Sequence, residues 1–270
     1  MARFHARSGW LVSAVAAVLL AGCSGGPAGV GDAAPGSPVR LADRAAAGGD
    51  YQTAATLYRQ AFDANPKSNE ALVGLGRSYA GLGQYARAEQ ALIEANQRRP
   101  NDVDILLELA RVQIGGGKPQ AALANLDKAR ARAPRNLQVI TARGIALDRL
   151  SRHAEAQANY REGLALDPTN FALLSNLGLS YGLGGAPSEG VLILRELVRD
   201  PEANARTRGN LALLYGLAGR EREASATLQG DLSPAEIQQN LTYYRELRGL
   251  LAQGNRRRHF TAPAAMPLMM

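Results

Sequence analysis

Apolar residues recur along this chain on a fixed grid. Leu72, Leu75 and Tyr79 follow one another at three and four residues, which marks one face of a helix. Gly83 ends that run, Ala88, Leu92 and Ala95 form a second one, and Pro100 stops it. The pattern then returns. Pro66, Pro100, Pro134 and Pro168 are 34 residues apart, and Ala54, Ala88, Ala122, Ala156, Gly190 and Ala224 keep the same spacing. Gly49, Gly83, Gly117, Gly185 and Gly219 also lie on this grid, with Ser151 in the place where a sixth glycine would stand.

The residue types explain the spacing. Small residues belong where two antiparallel helices cross closely, and glycine suits the left-handed residue that ends a helix. Six helix-turn-helix units are predicted. The first is degenerate in its first helix but firm at Tyr51, Ala54 and Tyr58. In the fourth, Arg143 replaces the leucine found at 75, 109, 177 and 211. The fifth ends one residue early, at Pro201. Next comes Ser233-Pro234-Ala235-Glu236, a capping box with proline at the first helical position. The helix it opens is expected to reach about Ala252, with Ile237, Leu241, Tyr244, Leu247 and Leu251 on one face. A stack of repeats leaves its last apolar edge bare, so a closing helix has a reason to be there.

A 34-residue period of paired helices resembles the tetratricopeptide repeat. The resemblance implies an all-α, right-handed superhelix of about six repeats with a C-terminal capping helix. Low aromatic content, 5 %, and an apolar fraction rich in Ala and Leu suit such packing better than a sheet.

The first 22 residues read as a leader. Arg3 and Arg7 supply a positive start, and Trp10 to Leu20 an uncharged apolar run, short of the roughly 20 residues that a spanning helix needs. Leu20-Ala21-Gly22-Cys23 resembles the lipobox of bacterial lipoproteins, which implies cleavage before Cys23 and acylation of its sulfur and new amine. Cys23 is the single cysteine, so an intramolecular disulfide is impossible. Ser24, in place of aspartate, implies transfer to the periplasmic face of the outer membrane. The expected organisation is a signal peptide over 1–22, a lipidated tether over 23–38, repeats over 39–230, the capping helix over 231–252 and a disordered tail over 253–270. The Gly-, Pro- and Ser-rich tether has a reach on the order of 20 Å.

Charge adds little. The formal net charge of +7 falls to +5 once Arg3 and Arg7 leave with the signal, and to +2 without Arg256, Arg257 and Arg258. A nucleic-acid binder would show a basic stripe on its folded surface, and none is evident. Candidate chemistry is equally thin. His5, His153 and His259 are scattered and show no zinc spacing, so no metal is expected. Gly115-Gly116-Gly117-Lys118 fails as a phosphate loop, having Val112 and Pro119 where glycine and Ser or Thr are required, and sits where a repeat turns. The expectation is no enzyme, no cofactor and no small-molecule substrate.

What remains is a surface. The resemblance implies a concave groove lined by the first helix of each repeat, at its second, fifth, sixth, ninth and twelfth positions. Those positions give Arg77, Leu107, Arg111, Ile114, Gln138 and Thr141, then Ile145, Asn176, Leu179, Arg206, Asn210 and Leu213. Leu107, Ile114, Ile145 and Leu213 are expected to be exposed, as aligned apolar residues of an interaction site. Asn176 and Asn210 share one repeat position, suited to bond the backbone of a bound peptide.

The mature chain as a whole resembles the TadD family, tetratricopeptide lipoproteins of Flp (tight-adherence, type IVb) pilus assembly. The most specific stretch is Asp231 to Arg248, DLSPAEIQQNLTYYRELR. The resemblance implies a protein partner, the pilus secretin or another assembly component, with the membrane reached through the lipid. A general adaptor for outer-membrane protein or peptidoglycan assembly fits the same sequence. A hydrolase would need an acid, base or nucleophile constellation that the sequence does not display.

Overall fold

A computed structural model describes residues 37–253. The signal, Cys23, all but the end of the tether, and the tail from residue 254 lie outside the described residues. Within them there are thirteen helices and no strand. Six pairs follow in order: α1 (Pro38–Ala47) with α2 (Tyr51–Ala64), α3 (Asn69–Gly81) with α4 (Tyr85–Arg98), and α5 (Val103–Gly115) with α6 (Pro119–Arg132). Then come α7 (Leu137–Arg149) with α8 (His153–Leu166), α9 (Phe171–Leu183) with α10 (Pro187–Leu197), and α11 (Ala205–Leu217) with α12 (Glu221–Leu228). The last helix is α13 (Pro234–Ala252).

Local sequence sets the helix ends. Ser68, Asp102, Asn136, Asn170 and Asn204, one per period, each accept a backbone N–H from the first turn of the helix they precede. Such a cap stabilises a helix by about 1 kcal/mol. Ser233 and Glu236 close a reciprocal capping box at α13. The turns inside the pairs need positive φ, and Gly49, Gly83, Gly117, Gly185 and Gly219 supply it at 70° to 95°. Ser151 takes the same conformation with φ 59°, although it carries a Cβ.

The core runs along the stack. Ala54, Ala88, Ala122, Ala156 and Ala224 are fully buried, as small residues at a close helix crossing must be. A Cβ added to Gly76 would fall 2.5 Å from Leu92 Cγ, and one on Gly216 the same distance from Tyr244. Arg143 does not disturb the fourth repeat, because polar partners surround it. Its Nε lies 2.8 Å from Asp127 Oδ1, and its Nη1 donates to Asn159 Oδ1, whose Nδ2 reaches the carbonyl of Ile140 at 2.6 Å.

Each odd-numbered helix from α1 to α11 packs against the next odd-numbered one, whereas the even-numbered helices up to α10 pack against their sequence neighbours. The stack therefore closes up on its odd side and spreads on its even side. It is a tetratricopeptide-type superhelix whose inner face is built from α1, α3, α5, α7, α9 and α11. Helix α13 packs on α11 and α12, and Ile237, Leu241, Tyr244 and Leu247 cover the last apolar edge.

Candidate functional site

The inner face opens into a cleft of about 250 Å³ where α5, α7 and the start of α9 meet. Arg111 and Ile114 come from α5, and Gln138, Thr141 and Ile145 from α7. Five groove residues expected from the repeat register are thus brought together. The walls are mostly aliphatic and the rim is polar. Arg111 Nη2 donates to Gln138 Oε1 at 3.4 Å across the two helices. Arg77, on α3, joins this rim through Glu108, whose Oε1 lies 3.1 Å from a guanidinium nitrogen of both Arg77 and Arg111. Two cations share one carboxylate, so the rim carries an excess of positive charge.

Other expected groove residues are placed differently. Leu107 and Leu213 are not exposed; they are 2 % and 6 % accessible. Leu179 and Ile114 are also buried, Ile114 forming cleft wall while hardly accessible. The cause is side-by-side packing of the odd helices. Leu107 meets the next repeat before it meets solvent and joins the core around Val139 and Ile140, and Leu213 joins that of α11 and α13. Ile145 is half-buried. The asparagine pair is buried too. Asn176 Nδ2 is taken by the carbonyl of Ala172 one turn back, and Asn210 Nδ2 is enclosed without a partner. Neither presents a free amide to a passing peptide. Arg206 is exposed but stands apart from the cleft.

Some cleft residues escaped sequence reasoning. Ala142 occupies the sixth repeat position and Ala172 the second, so the register itself pointed to them, as it did to Glu108 beside the rim. Leu137 is the first residue of its helix and Asn170 the N-cap of α9, and no groove position covers either.

A second polar group lies where the fourth repeat meets the fifth. Asp148 accepts from Tyr160 Oη at 3.0 Å and from Ser180 Oγ at 2.7 Å, and its Oδ1 is 2.8 Å from His153 Nδ1. Burial first, and then the Asp148 charge, hold the Tyr160 phenol well above its ordinary pKa. Serine and histidine both address the aspartate and not each other, so the three do not form a serine–histidine pair. The group ties α7, α8 and α9 together. Among the described residues no set of His, Cys, Asp and Glu could hold a metal ion, and no helix is long and apolar enough to cross a membrane.

A tetratricopeptide-repeat family model matches residues 45–102 and 79–144. No curated protein matches the chain in sequence. Among solved structures, a tetratricopeptide repeat protein from Parabacteroides merdae superposes with a TM-score of 0.67 at 14 % identity, over 77 % of this chain and 82 % of that one. PilW, described as a widely conserved type IV pilus biogenesis factor, gives 0.64 at 21 % identity, over 79 % and 96 %. TTC0263, a thermophilic repeat protein of Thermus thermophilus, gives 0.57 at 24 %, over 66 % and 98 %.

Proposed function

We propose that this tetratricopeptide-repeat chain is an outer-membrane lipoprotein that escorts a subunit of the Flp (type IVb) pilus secretin by holding one of its segments in the inner groove. The observation that carries the reading is the cleft between α5, α7 and α9, an aliphatic hollow with a rim of arginines. Such a site takes an amphipathic helix or extended segment, an apolar side chain filling the hollow while acidic groups find Arg77 and Arg111.

Three further features support it. The Cys23 lipobox and the tether after it would hold the domain near a membrane while leaving it free to turn. The segment 231–248 resembles the closing part of the TadD family. PilW, a pilus biogenesis factor by its description, shares the fold over most of both chains. A secretin subunit must cross the periplasm without assembling early, and a carrier bound for the outer membrane meets that need with modest affinity.

The test is a variant that fills the cleft and spares the core. Thr141 is half-buried and Ala172 exposed, and both line the hollow. Thr141→Arg with Ala172→Arg should leave the melting temperature close to that of the parent. Secretin should then remain in inner-membrane fractions and pili should be lost. Normal sorting and piliation by a folded double variant would overturn the proposal.

A further inference from the structure

The junction of the first and second repeats carries another opening, of about 290 Å³, lined by α2, α3 and the start of α4. Two guanidinium groups converge there on one tyrosine. Arg59 Nη2 donates to Tyr79 Oη at 3.3 Å, and Arg87 lies over the Tyr79 ring, 4.4 Å from its centroid. Arg87 Nη1 also donates to Gln84 Oε1 at 2.8 Å. Each arginine is thus oriented by neutral hydrogen-bond and ring partners, and each keeps N–H donors free of these contacts. No carboxylate lines the opening. Asp63 and Glu94 act on Arg59 through space, but Glu94 is bonded to Arg98 at 2.5 Å.

The chain contains its own comparison. Three and four periods later, Arg161 and Arg195 stand in the register of Arg59, and Tyr181 and Tyr215 in that of Tyr79. Arg161 again donates to its tyrosine, at 2.5 Å. In those later junctions the register of Arg87 holds Glu189 and Glu223, and the register of Gln60 holds Glu162 and Glu196. Where the later repeats carry two acids, the first junction has an arginine and a glutamine. That is a local change of charge which the packing of the repeat does not require, since the later repeats pack with glutamate.

We propose that this opening binds a phosphate-class anion, held between Arg59 and Arg87. A guanidinium fork matches phosphate oxygens in pairs, and two forks from different helices suit a tetrahedral group better than a flat carboxylate. The side-chain amides of Gln52 and Gln60, which line the same opening, can serve the remaining oxygens. The site lies in the repeat nearest the tether and is separate from the inner groove. It stands whether or not the groove holds a secretin.

The arginine side-chain N–H signals of the full chain in a neutral detergent provide the test. They are followed by NMR as sodium phosphate is added, against sodium chloride of equal ionic strength. The Arg59 and Arg87 signals should move with phosphate and not with chloride. Arg87→Glu installs the residue of the later repeats and should keep the melting temperature while weakening phosphate binding by roughly tenfold or more. Gln60→Glu should weaken it in the same direction, and serves if Arg87→Glu fails to fold. Dihexanoyl phosphatidylglycerol, as a second probe, separates the sources. Tighter binding than that of inorganic phosphate assigns the site to a lipid headgroup, and equal binding to a free phosphate. Equal response to phosphate and chloride, or wild-type phosphate binding by a folded variant, overturns the proposal.

Discussion

Gly144 faces the ring of Tyr160 so closely that a Cβ on residue 144 would lie 2.1 Å from the ring Cε1. The ring cannot swing aside, because Tyr160 is fully buried and its hydroxyl is fixed to Asp148 at 3.0 Å. Gly144→Ala should therefore destabilise the protein by about 1–3 kcal/mol, the usual cost of overpacking a core. Urea denaturation of the variant is the measurement. An unchanged midpoint would mean that α7 and α8 can separate at no cost, contrary to the tight crossing seen here.

Ser151 invites the opposite change. It holds φ 59° in the register where the other five turns use glycine. A side chain in this left-handed conformation costs about 1–2 kcal/mol, and glycine avoids that cost, although it also gains freedom in the unfolded chain. Ser151→Gly should raise stability by somewhat under 1 kcal/mol, and thermal melting would register the shift. A lower melting temperature would show that the Ser151 side chain makes a contribution larger than the strain.

The repeat grid made the fold legible in the sequence, because its signals are local and repeated. Prolines stop helices, glycines turn them, and small residues mark crossings, each independently of distant parts of the chain. Even the place of Ser151 was visible from spacing alone. The groove was legible only in part. The repeat register named Arg111, Gln138, Thr141 and Ile145, and these residues meet at one cleft. Exposure was misjudged at Leu107 and Leu213, because it depends on how closely neighbouring repeats approach, a quantity that one repeat's sequence does not contain. The Asp148 group was missed for a related reason: its members come from three helices, and Ser180 lies 32 residues from the aspartate it serves.

Cys23 lies outside the described residues, so its role rests on the sequence. Cys23→Ser should abolish incorporation of an azido-palmitate analogue, since no other residue supplies a thiol for the thioether. Label persisting on the variant would contradict the lipoprotein reading.

Asp148 concentrates three donors on one carboxylate. Its side chain is 13 % accessible, and Asp148→Ala would leave Tyr160 Oη and His153 Nδ1 in a largely dry site with no acceptor, and Ser180 Oγ with only the His153 carbonyl at 3.5 Å. Leaving one such donor unpaired costs about 1–3 kcal/mol, so a loss on the order of 2 kcal/mol or more is expected. Asp148→Asn, which keeps an acceptor oxygen, should cost less. Equal losses in the two variants would show that the charge, and not the acceptors, is what the site needs.

The closing helix gives the fold a dependence on acid. Arg208 on α11 makes a paired contact with Asp231, Nε to Oδ2 and Nη2 to Oδ1, both at 2.6 Å, and so ties the segment before α13 back to the last repeat. That hydrogen bonding holds the Asp231 carboxyl below its ordinary pKa, against a smaller opposing effect of burial. The sign follows from this direction. A carboxyl whose folded pKa is depressed binds protons more readily in the unfolded chain, so the contact stabilises the fold above about pH 4, the unfolded value, and its contribution fades as pH falls through the lower folded value. Arg208 is partly exposed, its side chain 39 % accessible, so the effect is modest and should weaken with salt. Urea midpoints for the parent and Asp231→Asn should differ at pH 6 and converge below about pH 4. A difference that stays constant through that range would show that Asp231 acts by packing or by its hydrogen-bonding shape, and not through its charge.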